Sequence, residues 1–421
     1  MYPVKRMNYI DLFAGAGGLS EGFARAGFTP IAHIEMVRNA CDTLLTRSFY
    51  YKLKKTAKGR KYYSSYLRGE ITHEEFFKSM PKDILDSVIC ETMSKDSLPI
   101  IFDKIDQRAL ELNINQVDII IGGPPCQAYS LVGRSRKNMN SDPRNWLYKL
   151  YIEFLKKYKP KLFVFENVEG IKTAGGGSFL EDIKRLVGKA GYDMDIRLLE
   201  SQNYGVLQRR KREIIIGVQK SYHKSHPDYP YPEADFNSDK YFVKDLLVDL
   251  PPLQPGEKNN QYVDKPTRYL SESCIRQKSD ILTWHETRPV REHDRKIYRF
   301  VIEFTSKWGR NPKYTEIPSE LRTHKNQSSF LDRFKVVRSD AHYSQTMVAH
   351  ISKDGHYYIH PDIKQARSLS VREAARIQSF PDNYFFEGPR TSALTQIGNA
   401  VPPLLAYKIA KAIQEYLDNL S

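Results

Sequence analysis

The strongest constraint on the fold lies near the start of the chain. "MNYIDLF" is a short apolar strand that runs into "AGAGGLSEGFARAGF", where glycines open a helix, and "PIAHIE" is a second strand that ends on Glu35. This is a βαβ opening, so the chain reads as an α/β protein. The glycines permit a tight turn and close backbone approach, and a carboxylate after the second strand can accept hydrogen bonds from ribose hydroxyls. The opening looks like a nucleoside-binding half-fold. Its "GAGG" is not the GxGxxG of dinucleotide folds, which argues against a nicotinamide cofactor.

Two later strands carry reactive groups to the same kind of position. "VDIII" (117–121) is a buried strand whose carboxyl end delivers "GGPPCQAYS" (122–130) to the edge where open α/β sheets bind ligands. "NWLYKLYIEFLKKYKP" has helical spacing, and "KLFVFENVEG" is another buried strand, ending on Glu166 and Asn167. A thiol, Cys126, and a carboxylate, Glu166, then share one edge. A buried cysteine is more often a small hydrophobe than a nucleophile. Here, though, prolines on its N-terminal side fix the backbone and remove donors, a rigidity that packing alone does not require. Glu166 by itself could cap a helix or pair with an arginine; the conjunction points to a site.

With 421 residues, 40% hydrophobic and 27% charged, the chain can build a large core and two domains, and it is unlike a disordered protein. No apolar run reaches the roughly 18 residues of a membrane span, and the opening lacks the apolar core of a signal peptide, so a cytoplasmic protein without membrane association is expected. Four cysteines (Cys41, Cys90, Cys126, Cys274) are scattered and never form CxxC, so neither a disulfide framework nor a metal site is expected. The net charge of +15, with basic runs at 51–68 and 208–212, suits a polyanionic partner and a solvated surface about equally.

Assembled, these residues resemble the DNA (cytosine-5) methyltransferase family of the bacterial restriction-modification type. The matching blocks run in the family's order: "DLFAGAGGLSEGF" (11–23), "GGPPCQAYS" (122–130), "ENVEG" (166–170), "QRRKRE" (208–213), "RSLSVREAARIQSFPD" (367–382) and "QIGNAVPP" (396–403). The resemblance implies a Rossmann-like S-adenosylmethionine-dependent methyltransferase domain with a smaller target-recognition domain. Residues 1–218 would form the catalytic and cofactor-binding domain, with a helical insertion at about 50–100. Residues 219–340 would recognise the target, and 341–421 would carry the C-terminal motifs. The final segment, "PPLLAYKIAKAIQEYLDNL", has apolar residues at helical spacing and is expected to return to the catalytic domain.

The resemblance also implies the chemistry. Carbon 5 of cytosine is a poor nucleophile, so the Cys126 thiolate would add to carbon 6 and make an enamine. Glu166 would supply a proton or strong hydrogen bond at ring nitrogen 3, and Arg210 and Arg212 complete the catalytic set, with Arg210 expected to contact the base. The sequence does not identify the group that removes the carbon 5 proton. S-adenosylmethionine would be the methyl donor. Phe13, Gly15, Ala16, Gly17 and Gly18 would line its pocket, with Glu35 on the ribose and Asp103 on the adenine amino group, although "FDKID" also offers Asp106. Met36 stands where the family usually has an aromatic residue. Pro125, Asn399 and Val401 complete the pocket.

Cytosine in a duplex hides carbons 5 and 6 in the stack, so the target must be flipped out. Gln127 and Ser130 are candidates for holding the vacated helix or a phosphate. The expected partner is double-stranded DNA, with a cognate restriction endonuclease acting separately on the same sequence, and a monomer is expected. The alternatives are a transfer-RNA cytosine-5 methyltransferase, which one branch of the family provides, and a DNA-binding regulator that has lost turnover. The long recognition region favours DNA, and the intact Cys126, Glu166, Arg210 and Arg212 argue against a dead copy.

Overall fold

The computed structural model describes residues 7–124, 146–172, 177–323 and 331–419. Its centre is a seven-stranded sheet made of β1 (Asn8–Leu12), β2 (Thr29–Glu35), β3 (Val88–Cys90), β4 (Ile119–Gly122), β5 (Leu162–Val168), β6 (Tyr192–Glu200) and β7 (Lys211–Gln219). Their order across the sheet is β3-β2-β1-β4-β5-β7-β6. The first five strands are parallel neighbours, and β7 runs antiparallel to both β5 and β6.

Continuous apolar runs form the central strands because both faces of the sheet are covered. Side chains alternate between two cores, as the period of two requires. Tyr9, Ile119, Ile121, Leu162, Val164, Ile214 and Ile216 face one core; Ile10, Ile120, Phe163, Phe165 and Ile215 face the other. The first core is covered by α1 (Gly18–Arg25), α12 (Val371–Ile377), α13 (Arg390–Asn399) and α14 (Pro403–Asp418), the second by α6 (Leu98–Glu111), α7 (Leu147–Tyr158) and α8 (Ser178–Lys189). The C-terminal segment does return: α14 packs so closely on α1 that a β-carbon at Gly22 would stand 2.4 Å from Ala406. Among the described residues, no helix is long and apolar enough to cross a membrane.

The stretch expected to be an insertion at about 50–100 is shorter than the sequence suggests. α2 (Arg38–Leu53) belongs to the core fold, and β3 and the start of α6 are sheet and crossover. The inserted part is α3 (Ala57–Leu67), α4 (His73–Lys78) and α5 (Lys82–Leu85), packed around Phe49, Tyr66, Phe76 and Ile84. The edge strand escapes sequence reading because three residues, with only Ile89 buried, are too few to establish a period.

After β7 come α9 (Lys220–His223), α10 (Arg268–Glu272) and α11 (Glu292–Trp308). Ile297, Tyr298, Val301 and Ile302 of α11 form a separate small core with Tyr314, Ile317, Phe334, Val336, Ile359 and Ala366. That core draws residues from both sides of position 340. The main core and the segments around it are tied by a buried charge network on α12. Arg376 is wholly buried and bridges Asp249 (2.6 and 3.0 Å) and Asp382 (2.9 and 2.7 Å). Arg367 grips Glu373 with two bonds of 2.8 Å. Glu373 also closes a capping box with Ser370, which fixes the start of the helix.

Candidate active site

Register places the candidate groups in one row. Ile34, Leu12, Gly122 and Phe165 are neighbours across β2, β1, β4 and β5. The next residue on each strand is Glu35, Phe13, Gly123 and Glu166, so two carboxylates and two loop entries share the carboxyl edge of the sheet. Cys90 of β3 extends the row beside Glu35. Glu35 and Glu166 are three strands apart, roughly 14 Å at about 4.8 Å per step.

At one end, the loop after β1 wraps around Glu35. The Gly15 amide donates to Glu35 Oε2 at 2.9 Å, and the Val37 amide donates to Oε1 at 2.8 Å. Each oxygen keeps a second lone pair for an outside donor. Phe13 and Gly15 both adopt positive φ, 56° and 55°. For Phe13 this conformation carries a strain of about 1 kcal/mol, which the loop tolerates where backbone must approach a ligand. A β-carbon at Gly15 would meet nothing within 4 Å, so the loop borders open space beside the carboxylate. Ala16 is buried and its carbonyl accepts the hydroxyl of Tyr384, a support the sequence did not reveal. Gly17 lies against Leu44 and Tyr384, and a β-carbon at Gly18 would stand 2.3 Å from the carbonyl oxygen of Val401. Met36 is 61% exposed at the mouth of this cradle, an apolar surface presented to solvent.

At the other end, Glu166 Oε1 pairs with Arg212 Nε at 2.8 Å, both side chains nearly buried. Burial pulls the Arg212 guanidinium below its ordinary range, and the Glu166 charge opposes that pull. The second oxygen points at the exit of β4: a β-carbon at Gly123 would lie 2.7 Å from Glu166 Oε2. Glycine at this position leaves room for that oxygen, which a side chain would displace. Pro125, Cys126, Gln127 and Ser130 lie outside the described residues.

Two expected site residues stand elsewhere. Arg210 is wholly buried and donates to the main-chain carbonyls of Met347, Gly398 (3.2 Å) and Ala400 (2.8 Å). Its guanidinium has no exposed surface and is engaged by these carbonyls. It fixes the "GNAVPP" turn, so Asn399 stands exposed at the end of α13 while Val401 is held against α1. Asp103 is exposed in the second turn of α6 and accepts from Gln107 at 2.9 Å. The buried face of α6 is Leu98, Ile101 and Ile105, which puts Asp103 on the opposite side. The acid that follows β3 is Glu91, whose amide donates to the Glu35 carbonyl at 3.0 Å. Its signal in the sequence was "VICE", a three-residue strand ending on a carboxylate.

Comparison with known proteins identifies the family. The C-5 cytosine-specific DNA methylase family matches residues 7–61 and 73–415. The chain is 42% identical to a Type II methyltransferase, M.Bpa9945I of Bacillus paralicheniformis, covering 98% of this chain and 99% of that one. It is 30% identical to M.DdeI of Desulfomicrobium norvegicum, covering 99% and 90%. Among solved structures, a prophage-encoded E. coli chain described as a DNA modification methyltransferase superposes with a TM-score of 0.60 at 23% identity, covering 98% and 99% of the two chains, and shares the fold. Matched along nearly its whole length, the chain belongs to the C-5 cytosine-specific DNA methylase family and is a DNA cytosine-5 methyltransferase.

Proposed function

We propose that this enzyme is the modification half of a restriction-modification pair, working as a monomer on a cytosine flipped out of a specific duplex sequence. The observation that carries the reading is the row at the sheet edge, which holds a ribose-type carboxylate cradle and, three strands away, an arginine-backed carboxylate. The printed names of the similar proteins, Type II methyltransferases, support the biological setting.

Glu35, with a free lone pair on each oxygen beside open space, fits the ribose of S-adenosylmethionine, and Glu91 replaces Asp103 as the acid nearest the adenine end. Asn399 and Val401 close the far wall, and Met36 offers apolar surface to the adenine. When bound, S-adenosylmethionine supplies an electrophilic methyl group. The chain's own residues prepare the acceptor. The Cys126 thiolate adds to carbon 6, and the electron pair moves toward nitrogen 3, where Glu166 provides the proton. Arg212 holds one oxygen of Glu166 and leaves Oε2 for the base. Carbon 5, now nucleophilic, accepts the methyl group, after which loss of its proton expels the thiol. Gln127 and Ser130 contact the DNA beside the nucleophile. Residues 219–340, with the core completed by Ile359 and Ala366, read the sequence.

Bisulfite sequencing of DNA from cells expressing the enzyme is expected to show protected cytosines within one recurring short motif. Fully convertible DNA alongside a protected transfer RNA would replace this reading with the RNA alternative. For the cofactor, Glu35→Ala is expected to weaken S-adenosylmethionine binding by roughly 1 to 3 kcal/mol while DNA affinity holds, measured by calorimetry. Unchanged cofactor affinity would remove Glu35 from the site.

A further inference from the structure

Two thiols that methyl transfer does not use meet beside the Glu35 cradle. Cys90 ends β3 and pairs in register with Glu35. Cys41 lies in the first turn of α2 and donates its S–H to the Glu35 carbonyl oxygen at 3.3 Å. The two thiols therefore flank the same residue, one on its carbonyl oxygen and the other on the neighbouring strand. Arg38, three residues before Cys41, pairs with Asp42 at 3.0 Å. Cys41 is buried and Cys90 half-buried, and neither is bridged.

We propose that Cys41 and Cys90 form an oxidation site at which a reversible disulfide lowers the affinity of the enzyme for S-adenosylmethionine. This inference rests on the assignment of Glu35 to the cofactor. The oxidant is a peroxide. Cys90, the more accessible sulfur, attacks one peroxide oxygen; the O–O bond breaks, and the departing hydroxide leaves as water with the Cys90 proton, giving a sulfenic acid. Cys41 then attacks the Cys90 sulfur and the S–O bond breaks. The hydroxide released takes the Cys41 proton and leaves as a second water. Two thiols are oxidised, one peroxide is reduced, and the charge balances.

The geometry assigns these roles. Burial pushes the Cys41 thiol up, which suits a group that waits for an activated sulfur and does not attack oxidant itself. An S–S bond of roughly 2.05 Å would tie the first turn of α2 directly to the end of β3. It also removes the Cys41 bond to the Glu35 carbonyl. Glu35 lies between the two joined elements, and the Val37 amide that orients its carboxylate stands at the start of the displaced helix. A cytoplasmic disulfide of this kind is transient and redox-sensing in character.

The test uses the full chain carrying Cys126→Ser and Cys274→Ser, so that Cys41 and Cys90 are its only thiols. Treatment with hydrogen peroxide should yield a Cys41–Cys90 cross-linked peptide by non-reducing mass spectrometry. S-adenosylmethionine affinity by calorimetry should fall about tenfold or more and recover with dithiothreitol. Adding Cys90→Ser, or Cys90→Ala if that chain does not fold, should leave cofactor binding insensitive to peroxide. Oxidation of Cys90 to sulfinic acid with Cys41 still free would overturn the proposal, as would a peroxide effect that persists in the Cys90 variants. A disulfide that leaves affinity unchanged would overturn it too. In that case reduced Glu35→Ala separates the causes: if it binds weakly, only the redox coupling fails; if it binds normally, the assignment of Glu35 fails.

Discussion

The Cys126→Ser enzyme is expected to form no denaturation-stable adduct with a duplex that carries 5-fluorocytosine at the target, whereas the unaltered enzyme should be trapped nearly stoichiometrically. Fluorine replaces the proton that must leave carbon 5, so the thiol cannot be expelled after methylation. Trapping should require S-adenosylmethionine, because only the methylated species is unable to eliminate. Serine fails because its hydroxyl is far less ionised at neutral pH and is the weaker nucleophile. DNA binding should persist in the mutant, since phosphate contacts position the enzyme independently of the thiol. Glu166→Gln should slow trapping and leave cofactor affinity intact, because Glu166 faces the β4 exit three strands from Glu35. An adduct that maps by mass spectrometry to Cys41, Cys90 or Cys274, or one formed by the serine enzyme, would sink the mechanism.

The largest stability effect is expected at Arg376. It is wholly buried between Asp249 and Asp382 and also donates to the Leu246 carbonyl at 2.7 Å. Removing one partner of a buried ion pair leaves charge uncompensated and costs about 3–5 kcal/mol. Arg376→Met should therefore lower the denaturant midpoint of unfolding by a corresponding amount. Asp249 retains Arg276 and Asp382 retains the Tyr262 hydroxyl at 2.6 Å, which keeps the loss from being larger. A loss under about 1 kcal/mol would mean that the network is solvated in solution and that α12 is held by its apolar face alone.

The contrast between Arg210 and Arg212 illustrates what a sequence can and cannot decide. Both are arginines of one motif, two residues apart, and side-chain alternation gives them the same parity. Only the pairing of β7 separates them. The strand begins at Lys211, so Arg212 sits opposite Val168 and reaches Glu166, while Arg210 enters the protein and ties down the C-terminal turn. Asp103 and Glu91 differ in the same way: both follow a short apolar run, and the run that becomes a strand depends on an edge pairing with β2.

The sequence by itself determined the βαβ opening, the buried strands ending in "GG" and "EN", the carboxylates Glu35 and Glu166, and the return of the C-terminal helix. These follow from local periods and residue chemistry, which act within a few positions along the chain. The tertiary structure decided the order of the strands, the antiparallel insertion of β7, the true extent of α3 to α5, and the placing of Cys41 and Cys90, 49 residues apart, against the same Glu35. Those outcomes depend on which distant surfaces bury one another, and hydrophobic burial carries no directional label that a linear pattern can display.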